Sequence, residues 1–320
     1  MFRICFLLVL KIILLFVFPL ISQAGQKVNW AQLNPLLKSS SSITNSGNPD
    51  DETECLLCHE KYIKAFGKTK HARVYSKGNK EVLGSSCETC HGPMLRHLKG
   101  KTRKERESSV ISFKKISSRQ KNQICLQCHE KGKNISWKGS THDRMEVSCN
   151  ECHHVSSRRT RRKYFIYESP DKVCFQCHRV QQAKLQRTSH MPLREGKMTC
   201  SSCHNPHGGP GPSQLNHATV TETCTSCHAE KRGPLIWEHA PVRENCITCH
   251  DPHGSNFPSL LKLKVPYLCQ QCHMSSFHSS LLMDSSDLSS SSQFMVGKGC
   301  LNCHSRIHGS NHPSGRRFQR

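Results

Sequence analysis

Hydrophobic positions crowd into one end of this chain. Ile4–Leu10 and Ile12–Leu20 form almost continuous apolar runs, with Lys11 between them and Arg3 in front. No other stretch of the 320 residues is apolar for long enough to cross a membrane. Ser22 and Ala24 supply the small residues of a signal-peptidase cut after Ala24, so residues 1–24 read as a secretory signal peptide. An uncleaved anchor is the alternative reading. There is no twin-arginine pair, which points to export as an unfolded chain.

Beyond this leader the apolar pattern becomes sparse. Residues 25–54 are Ser/Asn-rich and read as a flexible leader. Strand-like alternation is confined to Tyr164–Tyr167, and Pro and Gly stop helical turns soon after they begin, as in Asn205-Pro206-His207-Gly208 and Asp251-Pro252-His253-Gly254. The elements predicted are therefore short helices and loops with little β. Residues 92–124 and the Ser-rich 285–292 are the expected surface excursions, and 316–320 is a basic tail.

Composition sharpens this picture. Apolar residues make up 35%, low for a chain that fills its own core, whereas there are 21 cysteines and 22 histidines. So many cysteines argue for an exported protein.

The cysteines fall into one repeated pattern, Cys-x-x-Cys-His. The thiol pairs are Cys55/Cys58, Cys87/Cys90, Cys125/Cys128, Cys149/Cys152 and Cys174/Cys177, then Cys200/Cys203, Cys224/Cys227, Cys246/Cys249, Cys269/Cys272 and Cys300/Cys303. The histidines that close them are His59, His91, His129, His153, His178, His204, His228, His250, His273 and His304. Only Cys5, in the leader, is left over. Chance would give roughly 0.1 such motifs.

Positions i, i+3 and i+4 share one face of a helical turn, so two thiols and an imidazole converge. That arrangement suits two thioethers to a haem and one ligand to its iron: the c-type haem attachment signature. Zinc ribbons or disulfides would not require a histidine after every pair. The cofactor expected is haem c, ten copies, covalently attached.

Second ligands come from the remaining histidines. The motifs group into five tandem two-haem modules over residues 55–315, with a period near 50 residues. In the first four modules His71, His142, His190 and His239 follow the first motif by 11 to 13 residues. His97, His207, His253 and His308 follow second motifs. The fifth module offers His278, and the second offers His154, with Ser156 standing where sister modules have histidine. His217 and His312 are left as surface residues. Met94, Met145 and Met191 are the nearest alternative ligands; the supply of histidine favours bis-His irons of low potential. Which distal histidine serves which haem, and whether haem order follows chain order, stay open at this point.

The formal charge of +23 could suggest nucleic acid, with basic runs at 96–107 and 156–163. Losing Arg3 and Lys11 leaves +21, and twenty propionates would bring the ferrous protein to about +1. The basic runs have almost no aromatic residues for base stacking, so no nucleic-acid partner is expected; they remain candidates for docking an acidic protein. About thirty residues per haem cannot form a layered core, so the haems themselves are expected to be the apolar interior. The fold expected is a multihaem cytochrome: short α-helices and loops wrapped round a haem chain, elongated.

The segments CHAEKRGPLIWEHAPVRENCITCHDPHG (227–254), SHMPLREGKMTCSSCHNPHG (189–208), PYLCQQCH (266–273) and CLNCHSRIHGSNHPSG (300–315) resemble the MtrA/DmsE type of periplasmic decahaem cytochrome. The likeness spans 55–315 and departs at 92–124 and 154–163. It implies a rod of bis-His haems inserted in an outer-membrane β-barrel porin. Such a rod lies between a periplasmic or inner-membrane cytochrome donor and an outer-surface multihaem cytochrome or oxidoreductase.

An electron conduit without catalysis of its own is thus the leading expectation. A reductase of nitrite, sulfite or hydroxylamine is the main rival, and it needs an open iron; the fourth haem, beside Ser156, is where one could sit. A soluble periplasmic electron store is the third reading.

Overall fold

The computed structural model describes residues 28–40, 50–76, 83–156, 165–273 and 300–319. The expected signal peptide, His278, most of the second basic run and segment 285–292 lie outside the described residues.

The first helices are α1 (Trp30–Leu33), α2 (Asp50–Gly67), α3 (Lys70–Ser76) and α4 (Leu83–His91). Next come α5 (Leu95–Leu98), α6 (Arg103–Ser108) and α7 (Ser118–His129). After these the elements shorten: α8 (Thr141–Arg144), α9 (Cys149–Cys152), α10 (Pro170–Cys174), α11 (Arg179–Lys184), α12 (Val220–Thr225), α13 (Ala240–Glu244) and α14 (Tyr267–Gln270). Among the described residues β structure is limited to isolated bridges, one of them His153 to Phe165 at the edge of the expected alternation.

Local sequence explains where these elements start. Reciprocal capping boxes open α6 (Thr102 with Glu105), α7 (Ser117 with Gln120), α9 (Ser148 with Glu151) and α12 (Thr219 with Glu222). Proline stands in the first turn of α10 and α13, where its missing N–H costs nothing.

The attachment motifs alternate in form. The third, fifth, seventh and ninth stand at the ends of α7, α10, α12 and α14. The sixth, eighth and tenth are single 3-10 turns at Cys200–Ser202, Cys246–Thr248 and Cys300–Asn302. In both forms the histidine N–H donates to the carbonyl of the first cysteine, at 2.9–3.1 Å from His153 to His304. One closed turn is all that each motif needs.

A small apolar cluster caps the N-terminal end. Leu37, Ile111 and Ile124 are buried there, with Trp30, Leu33, Phe113 and Ile116 packed around them. Two expectations change as a result. Residues 28–39 are not simply a flexible leader, because Leu37 is only 3% exposed. Nor is 92–124 wholly a surface excursion: Ile111 is 1% exposed, and only the α6 stretch between its packed ends is fully in solvent.

Elsewhere the polypeptide encloses little. Outside that cluster the buried apolar side chains of the described residues are Trp137, Val173, Leu185 and Leu215. The chain is a scaffold whose interior its own side chains leave unfilled.

Candidate haem-binding sites

Among the described residues, imidazole rings face one another in seven pairs. His59 faces His97 at a ring-centre distance of 6.1 Å, His71 faces His129 at 5.9 Å, and His142 faces His178 at 6.2 Å. His153 faces His207 at 6.1 Å, His204 faces His253 at 6.2 Å, His239 faces His273 at 6.1 Å and His250 faces His308 at 6.1 Å. An imidazole nitrogen stands about 2.0 Å from a bound metal and roughly 1.2 Å from its ring centre, so two rings on one iron should sit about 6.3 Å apart. The spacing fits one ion between each pair. Every pair contains one histidine of an attachment motif and one sequence-predicted distal histidine.

The tautomers fit as well. Backbone carbonyls accept from Nδ1 of His91 (Ile111, 2.8 Å), His204 (Ser213, 2.9 Å), His250 (Ser259, 2.7 Å) and His304 (Arg317, 2.6 Å). Among distal candidates, Nδ1 of His97 reaches Arg106, that of His142 reaches Pro206, and that of His239 reaches Ile307. An Nδ1–H held by a carbonyl leaves the Nε2 lone pair for metal. Burial first, then the facing ring, holds His71 and His253 below the ordinary histidine range, in the neutral form that ligates.

The thiols point the same way. Burial first, then neighbouring Cys87, pushes Cys90 up to about 11, and burial does the same for Cys152. In these two thiols burial favours the neutral form. Among the described residues no three His, Cys, Asp or Glu side chains converge on a common ion position. Donors in facing twos flank a plane; they do not make a tetrahedron. Beside the His153–His207 gap the buried indole N–H of Trp137 lacks an acceptor, and a haem propionate is the kind of group that would supply one.

The two thiols of a motif differ in exposure: Cys58, Cys128, Cys177, Cys227, Cys272 and Cys303 are exposed at the surface of the polypeptide, whereas the first thiol of every motif is half-buried. The reason lies in how motifs pack. Each first thiol is the one turned toward its neighbours. The second thiols of the second, fourth, sixth and eighth motifs (Cys90, Cys152, Cys203 and Cys249) are half-buried too, where they meet the module that follows. Cys58, Cys128, Cys177, Cys227 and Cys272 stand one turn past the first thiol of the opening motif of a module. Cys303 belongs to the tenth motif, with no later motif to pack on it. Exposure does not conflict with attachment, because a thioether needs a sulfur that the haem vinyl group can reach.

The pairing follows a rule that the sequence spacing does not reveal. His71, His142 and His239 follow the first, third and seventh motifs yet face the third, fifth and ninth. His207, His253 and His308 follow the sixth, eighth and tenth motifs and face the fourth, sixth and eighth. Only His97 stays inside its own module, facing His59. At the fourth motif, where Ser156 stands in place of the sister modules' histidine, the ring facing His153 is that of His207, from downstream.

Rings of His91, His228 and His304 stand outside these seven pairs, as do His154 and His190. His190 bonds instead to Glu195 through Nε2 at 3.1 Å and to the Arg187 carbonyl through Nδ1. Met145 is 72% exposed and serves no pair.

Sequence reasoning missed the carbonyls that fix the proximal rings. Ser213 and Ser259 hold φ of 52° and 56°, and Gln214 and Leu260 follow at 60° and 61°. Two successive left-handed residues that are not glycine are costly, and here they aim the Ser213 and Ser259 carbonyls at His204 and His250. The signal available was the recurrence of Pro-Ser, at 212–213 and 258–259.

Successive motifs are also spatial neighbours. The first thiols of consecutive motifs lie in hydrogen-bond reach at Cys125/Cys149, Cys174/Cys200, Cys224/Cys246 and Cys269/Cys300. Between modules, the thiols are close enough to feel one another's charge at Cys90/Cys128, Cys152/Cys174, Cys203/Cys227 and Cys249/Cys272. From the second motif to the tenth, spatial order is chain order.

Comparisons with known proteins agree with this architecture. Residues 190–233 and 239–277 match the doubled CXXCH motif family, and residues 25–92 and 95–154 match the family of cytochrome c554 and c-prime. The chain is 44% identical over 282 residues to the multiheme cytochrome MtrA of Shewanella baltica (strain OS185), covering 85% of this chain and 82% of that protein.

Proposed function

The chain belongs to the family of the multiheme cytochrome MtrA and is an electron-transfer cytochrome; on that premise we propose that it carries electrons between the periplasm and a partner at or beyond the outer membrane. The observation that supports conduction best is the set of facing imidazoles. An iron held between two such rings would have a protein nitrogen on either side and no place left for a substrate. When bound, the haems supply a reversible one-electron couple. The chain's own residues hold them, fix the ring tautomers and place the sites one after another.

The pairing rule extends to the three remaining irons. A forward reach of two motifs assigns His190 to His228, and a backward reach of two assigns His154 to His91. His278 would then close His304 inside the last module, as His97 closes His59 inside the first. All ten irons become bis-His. Release of His190 from Glu195 is needed for its part.

The partners follow from the proposed place of the protein: a porin barrel around the scaffold, a cytochrome donor in the periplasm, and a multihaem cytochrome or oxidoreductase outside. Secretion would depend on the cut after Ala24.

Low-temperature EPR with near-infrared magnetic circular dichroism on the ferric holoprotein tests this reading. Ten low-spin bis-His irons are expected. A high-spin iron that binds nitrite or cyanide would overturn it and favour the reductase reading.

A further inference from the structure

The first basic run is dense and largely exposed. Residues 96–107 carry six basic side chains against Glu105 and Glu107. Both acids are occupied: Glu105 accepts from the backbone N–H of Lys101 and Thr102, and Glu107 pairs with Arg103 at 2.7 Å. Arg106 is held by the Gly100 carbonyl. Lys99, Lys101 and Lys104 are exposed, and no carboxylate of the described residues is paired with them.

The position of this patch gives it meaning. The Arg106 carbonyl accepts from Nδ1 of His97, the ring facing His59, so α6 is bonded directly to a ligand of the first haem. His97 follows the second motif, from which each later motif neighbours the next, so the first motif joins that series at its early end. A terminal site of a wire must meet a partner. A field of exposed lysines at such a site accelerates encounter with an oppositely charged protein by about 10- to 1000-fold at low salt. Nothing apolar lies on α6, so a membrane surface gains no buried area there.

We propose that Lys99, Lys101 and Lys104 form the docking face for a soluble acidic one-electron carrier that exchanges electrons with the first haem. The inference rests on the conduit reading above. The interface is of the small, salt-sensitive kind that transient redox partners use.

The test uses the full-length holoprotein and its Lys99→Glu/Lys101→Glu/Lys104→Glu variant. The probe is a c-type cytochrome of net negative charge, with the same cytochrome amidated on its carboxylates as control. Calorimetric titration of the oxidised probe should show binding that the variant and the amidated probe both lose. In stopped flow, reduction by the ferrous probe, chosen with a potential below that of the holoprotein's haems, should fall roughly tenfold between about 20 and about 300 mM salt for wild type, and stay flat for the variant. Equal binding and equal salt dependence for the two proteins would overturn the docking face. Flotation on phosphatidylglycerol vesicles that the variant abolishes, with donor binding unchanged, would also overturn it, in favour of a membrane contact. Dithionite separates the two readings: a holoprotein that it cannot reduce at all ten haems fails as a conduit, whatever the docking rates.

Discussion

A histidine in this chain acquires its role from two contacts, the carbonyl at Nδ1 and the ring across the gap. His207 has little in its own neighbourhood to mark it as a ligand for the fourth motif, yet its ring lies 24° from that of His153. His207→Ala is therefore expected to turn one iron in ten high-spin, that of Cys149–His153, while the haem of its own module stays low-spin. EPR of the variant, with the altered haem identified by removing His153 in parallel, checks the assignment. Ring orientation makes a second prediction. Five pairs are within 26° of parallel, His142–His178 is at 59°, and His71–His129 is nearly perpendicular at 84°. Axial-ligand geometry sets the electronic structure of the iron. The haem of Cys125–His129 should give the most anisotropic low-spin EPR signal, and that signal should vanish in His71→Ala.

At the scale of elements, loops that follow early motifs interlock with loops that follow late ones. Lys184, on α11, pairs with Asp251 at 2.6 Å, Arg187 donates to the Gly254 carbonyl, and Ser189 bridges to Ser255. Asn205 and Pro206 dock in the same manner on Lys133 and His142, and Trp237 bridges to Ser310. Glycine is required at the contact. Gly208 and Gly254 have φ of 109° and 142°, and a Cβ at either would overlap the carbonyl oxygen of Ser136 or Lys184. Gly254→Ala should cost about 1–3 kcal/mol, since backbone on both sides must shift. Lys184→Ala, which removes one half-exposed ion pair, should cost about 1 kcal/mol or less. Thermal unfolding of the two holoproteins should rank them in that order.

For the whole molecule the decisive fact is how little the polypeptide buries. Among the described residues the buried apolar side chains are Leu37, Ile111, Ile124, Trp137, Val173, Leu185 and Leu215. A few side chains of that kind, at about 1.5–3 kcal/mol each, cannot offset the ordering of so long a chain. Haem attachment and folding must then be one event. Chain produced without haem attachment is expected to be unfolded: disordered by far-ultraviolet circular dichroism and cut throughout by protease, whereas the holoprotein resists. A folded apoprotein would contradict this account.

The sequence by itself determined the chemistry. Ten Cys-x-x-Cys-His motifs name the cofactor and its number, because thiols and imidazole at i, i+3 and i+4 need only one local turn to converge. The supply of further histidines offered the distal candidates as a set, seven of which face a motif histidine, and the low apolar content announced a core that is not polypeptide. Only the tertiary structure decided the partnerships. A distal histidine lies twelve residues from one iron along the chain and across a packed interface from another, and spacing cannot choose between them. The interlocked loops make that choice, sending His142 forward to His178 and His207 back to His153. Packing between modules likewise decides which thiols the chain covers, so Cys152 is half-buried and Cys177 is exposed although their motifs read alike. The same holds for residues 28–39, whose composition reads as loose, yet which close on Ile111 because apolar contacts far apart in sequence meet there.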